Sequence, residues 1–221
     1  MKKLVIIGMG EFALLAYEYF SVDSSYQVVG FGVHKIFKGD QNSFNGLPLV
    51  SIEEMQDLFD TNRVEVFVAI PASKMNQSRT MVYLELKEMG FKFATYISSQ
   101  AFVWRNVEIG ENCFIFEGNV LQPFSEVRSN CVLWSGNHIG HRSTLHSNTF
   151  ITSHSVISGY CSVGQNSFVG VNSTVIDNIK IAPFTLVGAG SLINRDTLEN
   201  TIYVGNPAKP VAGKFATDSK I

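Results

Sequence analysis

The chain is predicted to join an N-terminal α/β half-Rossmann domain to a left-handed parallel β-helix. Three observations carry that expectation. An aliphatic residue stands at every sixth position from Val103 to Ile193, sixteen positions in succession. A second column, four residues after each, is small or compact, and a strand, a glycine turn and a helix pattern open the chain.

Aliphatic residues occupy about a quarter to a third of an average sequence, so an unbroken six-residue series of this length is not a product of chance. Its physical reading is a triangular prism. Each hexad forms one side, the aliphatic residue points inward, and the small residue (Cys113, Asn119, Ser125, Cys131, Asn137, Ser143 and their successors) fits the narrow space near a corner, with Ile179 the one clear departure. Three hexads make an 18-residue coil, and coils stack as parallel strands about 4.8 Å apart. Glycines at 110, 140, 164, 170 and 188 directly follow an aliphatic residue, where a corner is expected to demand positive φ. The same register places all three cysteines, Cys113, Cys131 and Cys161, in the small inward column. A packing role follows, with no disulfide framework and no paired-cysteine metal site.

Before the repeat, residues 3–7 (KLVII) read as a buried strand ending in Gly8-Met9-Gly10, followed by the helical spacing of EFALLAYEYF. A second strand at Gln27–Val33, a loop holding Gly46-Leu47-Pro48, a short helix at Ser51–Phe59, a third strand at Val64–Ile70 and a helix from Asn76 to Gly90 complete a small parallel sheet. The expected division is 1–98 for this domain, 99–198 for the β-helix and 199–221 for a C-terminal tail. Gly8, Gly10 and Ala13 fit G-x-G-x-x-A, a turn that lets backbone N–H groups approach a phosphate. After the second strand stands Val33-His34-Lys35 instead of the acid that holds a dinucleotide ribose, which disfavours NAD and leaves a nucleotide-sugar diphosphate or a structural turn.

Four of five histidines, at 138, 141, 146 and 154, fall inside the repeat. Positions two and three after the aliphatic face outward, which exposes His141 and His154. His141 has Pro123 one coil before it and Gly159 one coil after, so room for a substrate is expected beside the imidazole. Imidazole is suited to taking a proton near neutral pH, as acyl transfer to an amine or hydroxyl requires.

The composition sets limits. With 221 residues, 45% hydrophobic and 16% charged, the chain has the balance of a folded soluble protein. A net charge of −2 without a basic run argues against nucleic acid, the apolar stretches are too short to span a membrane, and the opening MKKLVIIGMGEF reads as a first strand rather than a leader. A cytoplasmic protein is expected.

Four segments, VIIGMGEF at 5–12, WSGNHIGH at 134–141, SVGQNSFVGVNSTV at 162–175 and YVGNPAKPV at 203–211, give the chain a resemblance over essentially its whole length to the bacterial nucleotide-sugar acyltransferases of the PglD and NeuD type, hexapeptide-repeat proteins. The resemblance implies an N-acyltransferase that moves an acetyl or related group from an acyl-CoA to the amine of a nucleotide-linked deoxyamino sugar in surface-polysaccharide (O-antigen, lipopolysaccharide) synthesis, working as a homotrimer. By that likeness His141 is the base. Gly170, Val171, Gly188 and Ala189, with Lys209 near the nucleotide end, line the CoA. Gly8, Gly10, Glu11 and His34 hold the nucleotide sugar.

Two departures stand out. The bacillosamine-pathway relatives carry Glu after the catalytic histidine where this chain has Arg142, so Asn137, His138 or a backbone carbonyl become the candidates to orient the ring. They also hold the nucleotide base with Asp residues where this chain has Val33-His34-Lys35, implying another nucleotide or pose; the WSGNHIGH wording resembles a subgroup acting on dTDP- or GDP-linked sugars. The spacing His141-x4-His146 matches carbonic anhydrases of the same β-helix class, but the third ligand position two coils earlier is Arg105, and no metal is expected. O-acylation of a sialic-acid-type sugar and a non-catalytic trimeric scaffold are the alternatives.

Overall fold

The computed structural model describes residues 2–219. They form two compact units: the chain to Pro71 together with Met81–Tyr96, and Ala72–Thr80 together with the chain from Ile97 onward.

The first unit is a sheet with helices. Its strands are β1 (Lys2–Ile7), β2 (Tyr26–Val33), β3 (Ser43–Phe44), β4 (Leu47–Ser51), β5 (Val64–Val68) and β6 (Lys92–Phe93), in the spatial order β3-β4-β2-β1-β5-β6. The helices are α1 (Glu11–Val22), α2 (Lys35–Lys38), α3 (Met55–Leu58, after a 3₁₀ turn at Ile52–Glu54) and α4 (Gln77–Glu88), the first turn of α4 counting with the second unit. β1 runs parallel to both neighbours, with Ile7 opposite Gly32 and Val68, so the carboxyl ends of β1, β2 and β5 share one edge. Leu4, Val5, Ile6 and Ile7 are all buried, which explains an unbroken apolar run: a central parallel strand is covered on both faces. α1 buries Phe12, Ala13, Ala16 and Phe20, one helical stripe.

The segment expected as a loop at Gly46-Leu47-Pro48 instead leads into β4, which pairs in parallel with β2. Pro48 obscured it. The proline faces the two-residue β3, opposite Ser43, at the sheet's edge, where a missing N–H costs least.

The second unit is the prism. Two-residue strands recur every six residues and pair in parallel with the strand 18 residues later, as in Leu121, Ile139, Ile157, Val175 and Ile193. Three sheets result. We call the side through Leu121 and Ile139 side 1, that through Val127 and Leu145 side 2, and that through Leu133 and Ile151 side 3. The stack fits a left-handed parallel β-helix. The inward aliphatic residues form one continuous core, most with no exposed surface, each contributing about 1.5–3 kcal/mol of burial.

The small column has a polar purpose as well as a steric one. Its side chains donate to carbonyls of the next coil: Ser143 Oγ to Ser158 O (2.7 Å), Ser155 Oγ to Gly170 O (3.0 Å), Ser173 Oγ to Gly188 O (3.0 Å) and Cys131 Sγ to His146 O (3.2 Å). Buried carbonyls are thereby satisfied, which an Ala column could not achieve.

Positive φ does recur at the corners, but not at the glycines expected to need it. It falls two residues later, at fourteen successive hexads from Asn112 to Gly190. Gly110, Gly140, Gly164, Gly170 and Gly188 are glycine for another reason. A Cβ at Gly110 would lie 2.6 Å from Ser129 N and one at Gly170 would lie 2.6 Å from Ala189 N, so the coils approach too closely for any side chain there.

The positive-φ residues sort by edge. Between sides 2 and 3 stand Asn112, Asn130, Asn148, Asn166 and Phe184; between sides 3 and 1, Gly118, Gly136, His154, Asn172 and Gly190; between sides 1 and 2, Phe124, Arg142, Tyr160 and Asn178. Asn and Gly tolerate the left-handed region, whereas bulky residues there store strain. The asparagines form an amide ladder, Asn112 Nδ2 to Asn130 Oδ1 (2.7 Å), Asn130 to Asn148 (2.8 Å) and Asn148 to Asn166 (3.1 Å), ending on Met75 O (3.2 Å). Arg79 reaches the same edge, its Nε 3.2 Å from Asn130 Oδ1 and its Nη2 3.2 and 3.3 Å from the carbonyls of Asn130 and Asn148.

The chain leaves the prism at the strand Thr201–Gly205, which pairs with side 3 and turns back antiparallel as Ala208–Phe215. Among the described residues no helix is long and apolar enough to cross a membrane.

Candidate active site

His141 stands on the edge between sides 1 and 2, one residue past Gly140, and is exposed. Its neighbours come from the coils on either side. Its backbone N–H donates to Gln122 Oε1 at 3.0 Å, and its ring Nδ1 lies 3.3 Å from the same oxygen. The ring lies over Gly159, where a Cβ would be 2.6 Å from Cε1. The Tyr160 ring meets the imidazole edge to face at 5.0 Å. The room expected beside Gly159 is therefore taken by the imidazole itself. Gly159 N–H donates to Asp177 Oδ1 (2.9 Å), and the Arg142 guanidinium stacks on Phe124 at 4.6 Å, a cation–π contact that accommodates its charge.

Gly159→Ala is accordingly expected to keep the fold, since the backbone there needs no left-handed φ, while pushing the ring out of place. The expected loss in kcat is about 10- to 100-fold, for a displacement of the order of an ångström. Turnover within twofold of wild type would show that the ring's seat on Gly159 does not matter.

Asn137 is buried; its Oδ1 accepts the Ser155 N–H (2.8 Å) and its Nδ2 donates to Trp134 O. His138 lies on the flat of side 1, paired between Val120 and Val156. The imidazole's own partner, Gln122, escaped sequence reasoning. The only signal for it was its place one coil and one residue before His141.

Gly170, Val171, Gly188 and Ala189 come together on the edge between sides 3 and 1, one coil apart. A Cβ at Gly188 would lie 2.7 Å from Val204 Cγ1, and Val204 pairs with Lys209 across the C-terminal hairpin, so all five residues follow one track. The track is smooth: Val171 and Ala189 are exposed, with glycines beside them. It lies on a different edge from His141. Below it the His154 ring covers Gly136, and Ser135 Oγ donates to Glu117 Oε1 (2.6 Å).

His146 faces outward on side 2, its Nε2 3.0 Å from Ser162 Oγ. Burial, then the Arg128 charge, pulls its pKa below the usual imidazole value. Among the described residues no three His, Cys, Asp or Glu side chains converge as a metal would require.

In the first unit, Gly8 has φ +139° and a Cβ there would lie 2.8 Å from Ala69 O, so both conformation and space require glycine. Gly10 caps α1, its carbonyl accepting the N–H groups of Ala13 and Leu14, and Glu11 begins the helix, exposed. His34, at the end of β2, lies on the same strand-end edge. Its Nδ1 is 3.2 Å from Glu53 Oε1 and its Nε2 3.3 Å from Glu85 Oε2. Glu53 also accepts the Lys35 N–H, at 3.0 and 3.2 Å from its two oxygens. Partial burial works against the charged form, but its own backbone N–H, that of Lys35 and His34 hold its carboxyl below the usual carboxylate range. Glu53 and Glu85 are the acids that the sequence hid, delivered by the 3₁₀ turn and α4 rather than by the strand end.

The fold defines the class: a left-handed parallel β-helix carrying an α/β unit at its N-terminus. No protein-family model matches the chain and no curated protein matches it by sequence. Solved structures do. The chain is similar to PerB from Caulobacter crescentus, in complex with CoA and GDP-perosamine (TM-score 0.84, 24% identity, covering 96% of this chain and 98% of that one). It is similar as well to the acetyltransferase domain of PglB from Neisseria gonorrhoeae FA1090 (0.84, 22%, 96% and 100%). A histidine-to-asparagine variant of the perosamine N-acetyltransferase from Caulobacter crescentus, with the same two ligands, matches equally well (0.84, 24%, 96% and 98%). At these identities the likeness establishes the fold.

Proposed function

We propose that this protein is an N-acyltransferase that moves an acyl group from an acyl-CoA thioester to the amine of a nucleotide-linked deoxyamino sugar. The observation that carries the reading is His141: an exposed imidazole held from both flanking coils by Gln122, Gly159 and Tyr160. The structural likeness to a protein solved with CoA and GDP-perosamine supports both substrates.

In this reading the sugar amine attacks the thioester carbonyl, forming the C–N bond while His141 takes the amine proton. A backbone N–H stabilises the tetrahedral oxyanion. The C–S bond then breaks, and the thiolate leaves as the CoA thiol on receiving that proton. The exposed Val171 and Ala189, with Gly170 and Gly188 beside them, would form a side-chain-poor track for the pantetheine arm of CoA, and Lys209 would meet the phosphates at its nucleotide end. Because that track and His141 occupy different edges of one prism, one site needs edges from two copies, which is the argument for a homotrimer. The α/β domain, 1–98, would hold the nucleotide sugar. Gly8 would make the tight turn, and backbone N–H groups at Met9, Gly10 and the α1 N-terminus would face its diphosphate, with Glu11 and His34 beside them; 99–198 supplies the catalytic prism and 199–221 the tail along the CoA. A cytoplasmic role in surface-polysaccharide synthesis, such as O-antigen or lipopolysaccharide, fits these substrates.

The test is release of CoA thiol from acetyl-CoA with GDP-, dTDP- and UDP-linked amino sugars, alongside matched sugars bearing a hydroxyl in place of the amine. Thiol release that requires the amine is expected. Release with hydroxyl acceptors alone would replace this reading with O-acylation, and none with any acceptor would remove the enzymatic reading.

A further inference from the structure

Gln122 does more than border the imidazole. We infer that it is the positioning residue that fixes the His141 tautomer, leaving Nε2 as the bare basic nitrogen; the inference rests on the reading of His141 as the base. The backbone N–H of His141 can only donate, so the Gln122 atom 3.0 Å from it must be the carbonyl oxygen, not the amide nitrogen. That same oxygen is 3.3 Å from Nδ1. A carbonyl oxygen cannot donate, so the contact is favourable only when Nδ1 carries the proton and donates it. Nε2 is then the lone-pair nitrogen, the state a base needs.

The backbone bond makes Gln122 a pre-set clamp. One N–H fixes the oxygen, and the fixed oxygen fixes the ring. Around it, Tyr160 presents its ring edge to face, Gly159 presents only backbone, Asp177 is engaged by the Gly159 N–H, and the Arg142 charge lies on Phe124. None of these is a carboxylate hydrogen-bonded to the imidazole. A neutral amide oxygen thus fills the place where the resemblance leads one to expect Glu, and Arg142 need play no part in orienting the ring.

The test uses ¹⁵N-labelled full-length protein and two-bond ¹H–¹⁵N correlation of the histidine rings, with His141 assigned by comparison with His141→Asn. The wild type should show a protonated Nδ1 and a bare Nε2. Gln122→Leu, which keeps the bulk but removes the acceptor, should move the population toward Nε2–H. It should also lower kcat roughly 10- to 100-fold with little change in either KM, a part of the ~10²–10⁴ that a positioned base supplies. Gln122→Glu restores an acceptor and adds a charge that favours imidazolium, so it should retain turnover with the acidic limb of the kcat/KM profile moved to higher pH by about a unit or more. A wild-type ring protonated on Nε2 would overturn the inference. So would a Gln122→Leu protein with unchanged tautomer and kcat within twofold of wild type. The ring spectra are recorded without substrate and stand apart from the functional reading: full activity in His141→Asn beside the expected tautomer would sink the base assignment, not the clamp.

Discussion

His141→Asn is expected to lower kcat by about 10²–10⁴-fold, or ~2.7–5.5 kcal/mol of transition-state stabilisation, with its fold intact. The variant isolates the ring's chemistry. Asparagine retains the backbone N–H that donates to Gln122, fits over Gly159 without a clash, and removes an exposed side chain, so stability should change by no more than ~0.5 kcal/mol. If the ring acts only on the proton in flight, kcat and kcat/KM should fall together while KM stays near its starting value. Steady-state kinetics with circular dichroism on the same sample checks both halves. Near wild-type turnover would dismiss the imidazole as base, and a lost spectrum would show that the residue is structural.

Arg79→Ala should be the most destabilising of these changes, by about 3–5 kcal/mol, the range for truncating a large buried side chain. Arg79 has no exposed surface. Burial pulls its guanidinium down to about 10, still charged at neutral pH. Its removal deprives Asn130 and Asn148 of a donor to their carbonyls, each loss worth ~1–3 kcal/mol if no water replaces it, and takes the cation from above the Phe150 ring, 5.5 Å away. Arg79→Lys should recover little, because one ammonium cannot reach a side-chain oxygen and two carbonyls as a planar fork does. Urea unfolding at fixed protein concentration, read as a shift in midpoint at constant slope, measures both. An unmoved midpoint in Arg79→Ala would mean that the Ala72–Thr80 segment contributes nothing to the prism.

Why some of this was legible and some was not follows from how far each feature departs from the hexad. The inward column repeats without a gap, and its register alone places Cys113, Cys131 and Cys161 in the core. The same count puts His141 outward. Gln122 resisted because the pair mixes two register positions across a coil, and periodicity compares only like with like. The asparagine ladder was in plain sight at eighteen-residue spacing. The glycines at 110, 140 and 170 drew attention to the wrong corner position because tight approach and positive φ both select glycine, and sequence cannot separate the two. Arg79 was hidden more deeply: nothing in the polar run QSRT at 77–80 marks a side chain bound for full burial, since that outcome depends on asparagines fifty and more residues away. β4 was lost to a single proline.

The three edges carry unlike chemistry on one repeating frame: amide rungs on one, the imidazole on another, a glycine track on the third. Such a frame has a phase as well as a period. Removing 18 residues shortens the stack and leaves each later side chain on its own edge. Removing six keeps every inward aliphatic and every left-handed corner in step, yet turns all that follows by one side. Taken out between His141 and Gly170, six residues would carry the glycine track onto the edge that holds the amide rungs, and twelve would carry it onto that of the imidazole, with the core register unbroken. Packing is blind to that error and chemistry is not, so selection on stability alone would tolerate any multiple of six, whereas selection on the site admits only multiples of three hexads.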